Sequence, residues 1–412
     1  MTTQVLSAPW VLPGRPEVPG APAAAIRDGA IALDGEAVLA VGPRAEVEAR
    51  HGRGEPLDAV ILPALVNAHL HLELSHLAGK VPGGAGLAAW IGQVIAARAE
   101  ARSDDAPAAM SSAASALRAA GVAAVGDVSN TLASLEPLAR AGLCGTVFHE
   151  VLGFTRERFE RYREAARAER GVRPAPRGLR VLESPHAIYS TNREALLALL
   201  RAGPGSIHLA EDPAERGFCR DGEGPFRGLL AGIGATAAEV DALRVRGRSA
   251  VAAIAPELGP QHLAVHCVDL DREDLALLAA SRATAVLCPR SNHHISGLVP
   301  PLPALLAAGV PLAVGTDSLA SSPSLAPLAE LALLRRAFPD VPAARLLPLA
   351  WNGPAVGAPH VGRLTAGEAP GILAAPLGGA RPEDPFELLL DVFGGDGPSF
   401  GWIRQNAPEA RA

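Results

Sequence analysis

His69 and His71 stand one residue apart at the end of an apolar run, Val60-Ile61-Leu62-Pro63-Ala64-Leu65-Val66. On an extended strand, side chains two apart point the same way, so both imidazoles can reach one metal ion. Alone, such a pair is more often two solvated loop histidines, and other residues must decide. In Ile207-His208-Leu209-Ala210-Glu211 a second run ends in a histidine, with a carboxylate three residues later that suits acid/base work without binding the metal. Ala264-Val265-His266-Cys267 ends in another histidine. Gly315-Thr316-Asp317-Ser318 ends in an aspartate, which can bind a metal or accept a proton from water.

These side chains need elements to hold them. Apolar runs recur at 66–71, 122–127, 146–150, 181–186, 206–211, 263–267, 285–291 and 312–317. Between them lie stretches such as 193–201 and 271–280, whose Ala, Leu, Arg and Glu favour helix. Strands alternating with helices imply βα units and a parallel sheet. Eight units with polar groups at the strand ends predict an α/β fold, a (β/α)8 barrel with its active site on the C-terminal face. Outside the barrel, 30–33 and 37–42 alternate like short strands, and after Trp351-Asn352-Gly353-Pro354 another apolar run occupies 372–375. The two ends are expected to pair into one small β domain. The expected boundaries are 1–62 and 355–412 for that domain and a tail, with the barrel over 63–354.

Composition narrows the partners. A chain of 412 residues suits a barrel of ~250 residues plus a companion domain. The net charge of −6 offers no basic footprint for nucleic acid. No apolar stretch reaches the ~20 residues of a membrane helix, and no basic-then-apolar leader opens the chain. Four cysteines without a Cys-x-x-Cys pair suit a reducing compartment. The expectation is a soluble cytoplasmic protein acting on a small molecule, with no nucleic-acid or membrane partner and with homo-oligomerisation left open. A cytidine-deaminase fold needs the combined His-x-Glu and Pro-Cys-x-x-Cys signature, and with no Pro-Cys-x-x-Cys in the chain that signature is absent.

The ordered series His-x-His, His-x-x-Glu, His and Asp resembles the amidohydrolase superfamily, in the branch of mononuclear-metal deaminases and chlorohydrolases that includes guanine, cytosine and S-adenosylhomocysteine deaminases. Residue by residue, the resemblance implies a divalent metal on His69, His71, His208 and Asp317, with Glu211, His266 and Asp317 as catalytic groups. The fourth run, Val181-Leu182-Glu183-Ser184-Pro185-His186, lacks the lysine that carries the carbamylated bridge of dinuclear relatives, so one ion per chain is expected. Zinc is the first choice, and iron(II) or manganese suits similar ligands.

Further segments narrow the branch. Pro185-His186-Ala187-Ile188-Tyr189-Ser190 is similar to a nucleoside-deaminase segment whose histidine touches the substrate, and Cys288-Pro289-Arg290-Ser291-Asn292 to the seventh-strand segment of the same group. His71-Leu72-Glu73-Leu74-Ser75, Trp90-Ile91 and His149-Glu150-Val151-Leu152-Gly153-Phe154 resemble the 6-aminodeoxyfutalosine deaminases of the alternative menaquinone pathway. This implies hydrolysis of 6-aminodeoxyfutalosine to futalosine and ammonia. The alternatives are methylthioadenosine, S-adenosylhomocysteine, guanine or triazine hydrolysis at the same site, and, from another class, a non-catalytic metal-binding barrel, which is expected to have lost a ligand or Glu211. Substrate contacts are expected from Glu73, Glu150, His186, Arg290 and Asn292. Glu73 would meet ribose hydroxyls or else anchor a loop; Arg290 would fork onto the benzoate carboxylate or else form a rim ion pair. Asn292 alone of Asn292, His293 and His294 is expected to face the pocket, and Asp127 and Glu150 also suit supporting roles. The family's usual Gly-x-x-Ala-Asp appears here as Gly367-Glu368-Ala369-Pro370-Gly371.

Overall fold

Each of the eight apolar runs contains a strand in the computed structural model, which describes residues 3–406 except 102–104, 244, 246 and 398, although run 285–291 passes into a helix at Pro289 and run 312–317 leaves its strand after Val314. Five strands come first: β1 (Gln4–Val11), β2 (Ile26–Asp34), β3 (Ala37–Pro43), β4 (Glu55–Pro56) and β5 (Ala59–Pro63). The eight that follow are β6 (Leu65–Leu70), β7 (Val122–Ser129), β8 (Cys144–Val151), β9 (Leu179–Pro185), β10 (Gly205–Leu209), β11 (His262–His266), β12 (Thr284–Leu287) and β13 (Leu312–Val314). Strands β6 to β9 pair in parallel, as do β10 to β13. Parallel bridges Ala187 to His208 and Leu70 to Asp317 join the two sets into a closed (β/α)8 barrel. Burial on both faces explains the continuous apolar runs. Every residue of β6, β7, β8, β10, β11 and β12 is buried.

The barrel closes tightly beside the first histidine. A Cβ on Gly315 would lie 2.7 Å from the Cβ of His69, so only glycine lets strand eight approach there. The main-chain N–H groups of Thr316 and Asp317 then donate to the His69 carbonyl at 2.9 and 3.1 Å. Ala210, His266 and Asp317 follow or end their strands in the left-handed region, with φ of 52°, 77° and 57°. Non-glycine residues adopt that conformation only when their surroundings enforce it, and here it turns the chain abruptly at the barrel mouth.

The chain ends do pair. A second sheet runs β15-β14-β5-β1-β2-β3, with β14 (Pro370–Pro376) antiparallel to β5 and β15 (Gly401–Asn406) at its edge. It has its own core of Leu6, Ile31, Val38, Ile61, Leu364 and Ile372. Pro370 opens β14, a position where a strand tolerates proline, so the departure from Gly-x-x-Ala-Asp leaves the strand intact. Not all of the C-terminal segment belongs to this sheet. Pro385–Phe393 is a helix whose buried Phe386, Leu389, Leu390 and Phe393 have the i, i+3, i+4, i+7 spacing of one helical face, and they join the barrel core. The Asp384 carboxylate accepts from the N–H groups of Phe386 and Glu387 and starts that helix.

Three helices rise above the strand ends. Leu87–Glu100 follows β6, Arg156–Val172 follows β8, and Pro225–Gly232 belongs to the long β10–β11 connection. Among the described residues, no helix is long and apolar enough to cross a membrane.

Candidate metal centre and active site

Four side chains from three strand ends converge. His71 Nε2 lies 3.2 Å from His208 Nε2 and 3.6 Å from Asp317 Oδ1; His69 Nε2 lies 4.0 Å from the same oxygen. Each is fixed from behind. His208 Nδ1 faces the His186 carbonyl at 3.2 Å, which places the proton on Nδ1 and leaves the Nε2 lone pair free. Asp317 Oδ2 accepts from the Ser291 and Ser321 hydroxyls at 2.6 and 3.1 Å, leaving Oδ1 toward the histidines.

The donor set fits a divalent cation. Both ring nitrogens of His69 are buried without a hydrogen-bond partner, and buried polar atoms rarely stay unpaired. Burial, reinforced by His71 and His208, holds the His69 imidazole well below its ordinary pKa. Burial pushes the Asp317 carboxyl up, but His71, His266 and the Ser291 hydroxyl outweigh it and hold the group below the usual carboxylate range. Neutral imidazoles beside an ionised carboxylate are the protonation states that a metal requires.

Glu211 stands apart from this cluster. Its Oε2 lies 3.5 Å from His266 Nε2, while the Asn292 amide nitrogen meets His266 Nδ1 at 3.1 Å and so leaves the ring proton on Nε2. Burial, with Asp317, Glu215 and Asp212 nearby, raises the Glu211 pKa well above the carboxylate range. Burial likewise lowers His266 to about 4, so burial favours a neutral imidazole here and the protonated form of Glu211. The sequence reading missed Glu215. Its carboxylate accepts from the Glu211 N–H at 2.8 Å and fixes the turn after β10. The missing signal was the i, i+4 spacing of Glu211 and Glu215 across the start of the helix Pro213–Asp221.

A cavity of about 720 Å³ opens above the cluster and is lined by His71, Glu150, His186, His208, Glu211, His266 and Asp317 at its floor. Burial drives His186 down to about 3, and its Nδ1 meets the Ser190 hydroxyl at 2.5 Å. Glu150 Oε2 accepts from the Asn130 amide at 3.0 Å and Oε1 lies 3.8 Å from His208 Nδ1, so this carboxylate both lines the cavity and backs a ligand.

Three expected substrate contacts lie elsewhere. Glu73 does not line the cavity; it accepts from the main-chain N–H groups of Asn130, Thr131 and Ala133 and from the hydroxyls of Ser129 and Thr131. A carboxylate so engaged anchors the loop after β7, with four of its five donors on Oε1 and the Asn130 N–H on Oε2. Arg290 also lies outside the lining. It donates to Asp396 at 2.7 Å and to the Ser324 hydroxyl at 3.0 Å, so it is the rim ion pair and not a substrate clamp. Asn292 sits behind His266 instead of facing the cavity, because it lies on the first turn of the helix Pro289–Ser296. Asp127 keeps its supporting role: its Oδ1 accepts the Leu72 N–H at 2.9 Å, and burial pushes its carboxyl up to about 8.

A model of the amidohydrolase family matches residues 60–375. The aminodeoxyfutalosine deaminase of Deinococcus radiodurans is 33% identical over 335 residues, covering 76% of this chain and 77% of that protein. A 5-methylthioadenosine/S-adenosylhomocysteine deaminase of Nitratidesulfovibrio vulgaris is 30% identical over 317 residues, covering 73% of this chain and 66% of that protein. Among solved structures, Helicobacter pylori aminofutalosine deaminase with bound methylthio-coformycin superposes at a TM-score of 0.78 with 21% identity, covering 96% of this chain and 97% of that one. That last likeness speaks for the fold.

Proposed function

The chain belongs to the amidohydrolase family, and from that premise we propose that it is a metal-dependent hydrolytic deaminase of an adenine-type nucleoside, with 6-aminodeoxyfutalosine as substrate and futalosine and ammonia as products. The observation that carries this reading is the pairing on the cavity floor. Glu211, whose burial favours the protonated form, lies 3.5 Å from His266 directly beside the His69, His71, His208 and Asp317 cluster.

His69, His71, His208 and Asp317 would hold the ion, and three imidazoles with one carboxylate suit zinc. When bound, such an ion supplies Lewis acidity that activates water near neutral pH. The residues supply the remaining steps. His266 orients the attacking water over C6 of the ring through its Nε2–H, and Asp317 takes a proton from that water. Glu211 delivers its proton to the adjacent ring nitrogen, so negative charge does not build up on the purine as C6 becomes tetrahedral. The proton held by Asp317 then passes to the departing amino group, the C6 hydroxyl returns its proton to Glu211, and collapse expels ammonia. His186, neutral and fixed by Ser190, borders the ring, and the apolar walls exclude competing water. The four cysteines, all buried and none in a disulfide, accord with a cytoplasmic enzyme.

The likeness to methylthioadenosine/S-adenosylhomocysteine deaminases supports a second reading in which the same floor acts on those nucleosides. Ammonia release from aminodeoxyfutalosine, methylthioadenosine, S-adenosylhomocysteine, adenosine, guanine and cytosine separates the two. The proposal expects the highest kcat/KM on aminodeoxyfutalosine. Turnover confined to guanine or cytosine would overturn the nucleoside assignment.

A further inference from the structure

The cavity extends beyond anything that deamination of the ring requires. At about 720 Å³ it lies in the upper part of the ~300–1,000 Å³ range of small-molecule sites. Its polar catalytic groups are confined to the floor. The outer walls are apolar, formed by Phe154, Tyr162, Leu229 and Ile233, and two guanidiniums, Arg98 and Arg158, border the same space. Arg158 is held in place: its guanidinium carbon lies 4.4 Å from the centroid of the Phe154 ring, and Nη2 donates to the Gly234 carbonyl at 3.1 Å. Among the described residues, neither arginine has an ion-pair partner. Glu239, whose pKa is lowered by the Thr236 N–H and hydroxyl and also by the Arg158 charge, and Glu169, which borders the same cavity, both bind other groups. Glu239 accepts from the Thr236 N–H and hydroxyl, and Glu169 pairs with Arg173.

A half-buried guanidinium, oriented on an aromatic face and making no ion pair of its own, is prepared for an anion from outside the chain. Resting on the adenine-nucleoside reading above, the geometry points to Arg158, assisted by Arg98, as the seat of a carboxylate carried on a flat apolar substituent at the 5′ end of the ribose. The substituent packs between Phe154 and the Leu229–Ile233 wall while the ring lies on the catalytic floor. The carboxylate takes the edge of the guanidinium that Gly234 leaves free. An aryl carboxylate such as the benzoate of aminodeoxyfutalosine meets both demands. The small neutral thioether of methylthioadenosine fills neither, and S-adenosylhomocysteine brings its α-carboxylate only with an adjacent ammonium that opposes the arginines and without a flat apolar ring for the Phe154 wall. Arg158 thus performs the role that the sequence suggested for Arg290.

The test compares kcat/KM for aminodeoxyfutalosine and methylthioadenosine in the unmodified enzyme, Arg158→Met, Arg158→Lys and Arg98→Met. The ratio of the two substrates should fall about ten- to a hundredfold in Arg158→Met, chiefly through KM, and less in Arg158→Lys, which keeps the charge but loses the fork. Arg98→Met should lower it less again. Raising the salt concentration should erode the ratio in the unmodified enzyme, because the contact is partly exposed. Equal losses on both substrates in Arg158→Met, or no preference in the unmodified enzyme, would overturn the carboxylate seat while the adenine-nucleoside reading stands. If no adenine nucleoside releases ammonia, that reading falls and calorimetric binding of aminodeoxyfutalosine decides the seat. A Kd weakened tenfold or more by Arg158→Met supports it, and an unchanged Kd overturns it.

Discussion

The two ends of the cavity are built by different means. The floor stands on strand ends, and its groups are buried and restrained from behind: His208 by the His186 carbonyl, Asp317 by Ser291 and Ser321, His266 by Asn292, Glu211 by Glu215. The outer end stands on helices of the barrel's connections, with Ile233 at 42% and Tyr162 at 48% exposure and few hydrogen bonds among its lining residues. Chemistry tolerates little displacement of a proton donor or ligand, so it is placed where the barrel backbone fixes position. Recognition of a substituent tolerates more, and loops and helices can vary it without disturbing the floor.

Substitutions at the two ends should therefore differ in kind as well as size. The largest effect after loss of a metal ligand is expected at Glu211. Glu211→Gln preserves shape and removes the proton, so kcat should fall ~10²-fold or more while metal content is retained. Near-normal turnover would remove Glu211 from the mechanism, and lost metal would make it a ligand. Next comes the restraint behind the floor: Ser291→Ala deletes one of two hydroxyl donors to Asp317 Oδ2 and should lower kcat about tenfold, a ~1.4 kcal/mol effect, with little change in KM. An unchanged kcat would mean that Ser321 alone positions Asp317.

Glu73 tests the boundary between the regions, since it lies next to a ligand in sequence yet outside the cavity. Glu73→Gln leaves some of its donors poorly matched and should cost about 1–3 kcal/mol of stability, seen as a lower Tm. A raised nucleoside KM at unchanged Tm would return Glu73 to the substrate. The smallest effect is expected at Arg290. Its partner Asp396 is largely solvent-exposed, so Arg290→Met should alter kcat/KM on aminodeoxyfutalosine less than about threefold, within the ~0–1 kcal/mol of such pairs. A tenfold loss confined to that substrate would restore the clamp to Arg290 and take it from Arg158.

The same division explains what could be read in the sequence. The floor was legible because each of its histidines and carboxylates closes a contiguous apolar run, and strand periodicity fixes which way residues one apart point. Direction was lost as soon as the chain left the strand. Glu73 follows His71 by two residues, but the chain has turned into the 3-10 helix Leu72–Leu77, which aims the carboxylate at the loop after β7. Arg290 and Asn292 follow β12 in the first turn of a helix, so one faces the rim and the other the back of His266. The outer compartment was invisible for another reason. Arg98, Arg158 and Tyr162 sit among arginines, glutamates and alanines on helices that read as ordinary solvated surfaces, and only the packing of three separate connections brings them to one cavity. The helix Pro385–Phe393 did carry a readable apolar spacing, masked by the flanking proline and glycines.

The central claim is that one ion on the floor cluster makes the chemistry possible, and titration of metal into chelator-treated protein tests it most directly. Deaminase activity should be absent without metal, rise with added zinc, and level off at about one equivalent per chain, whereas His208→Ala should neither bind the ion nor recover. Full activity in metal-free protein, or undiminished metal binding in His208→Ala, would contradict the account.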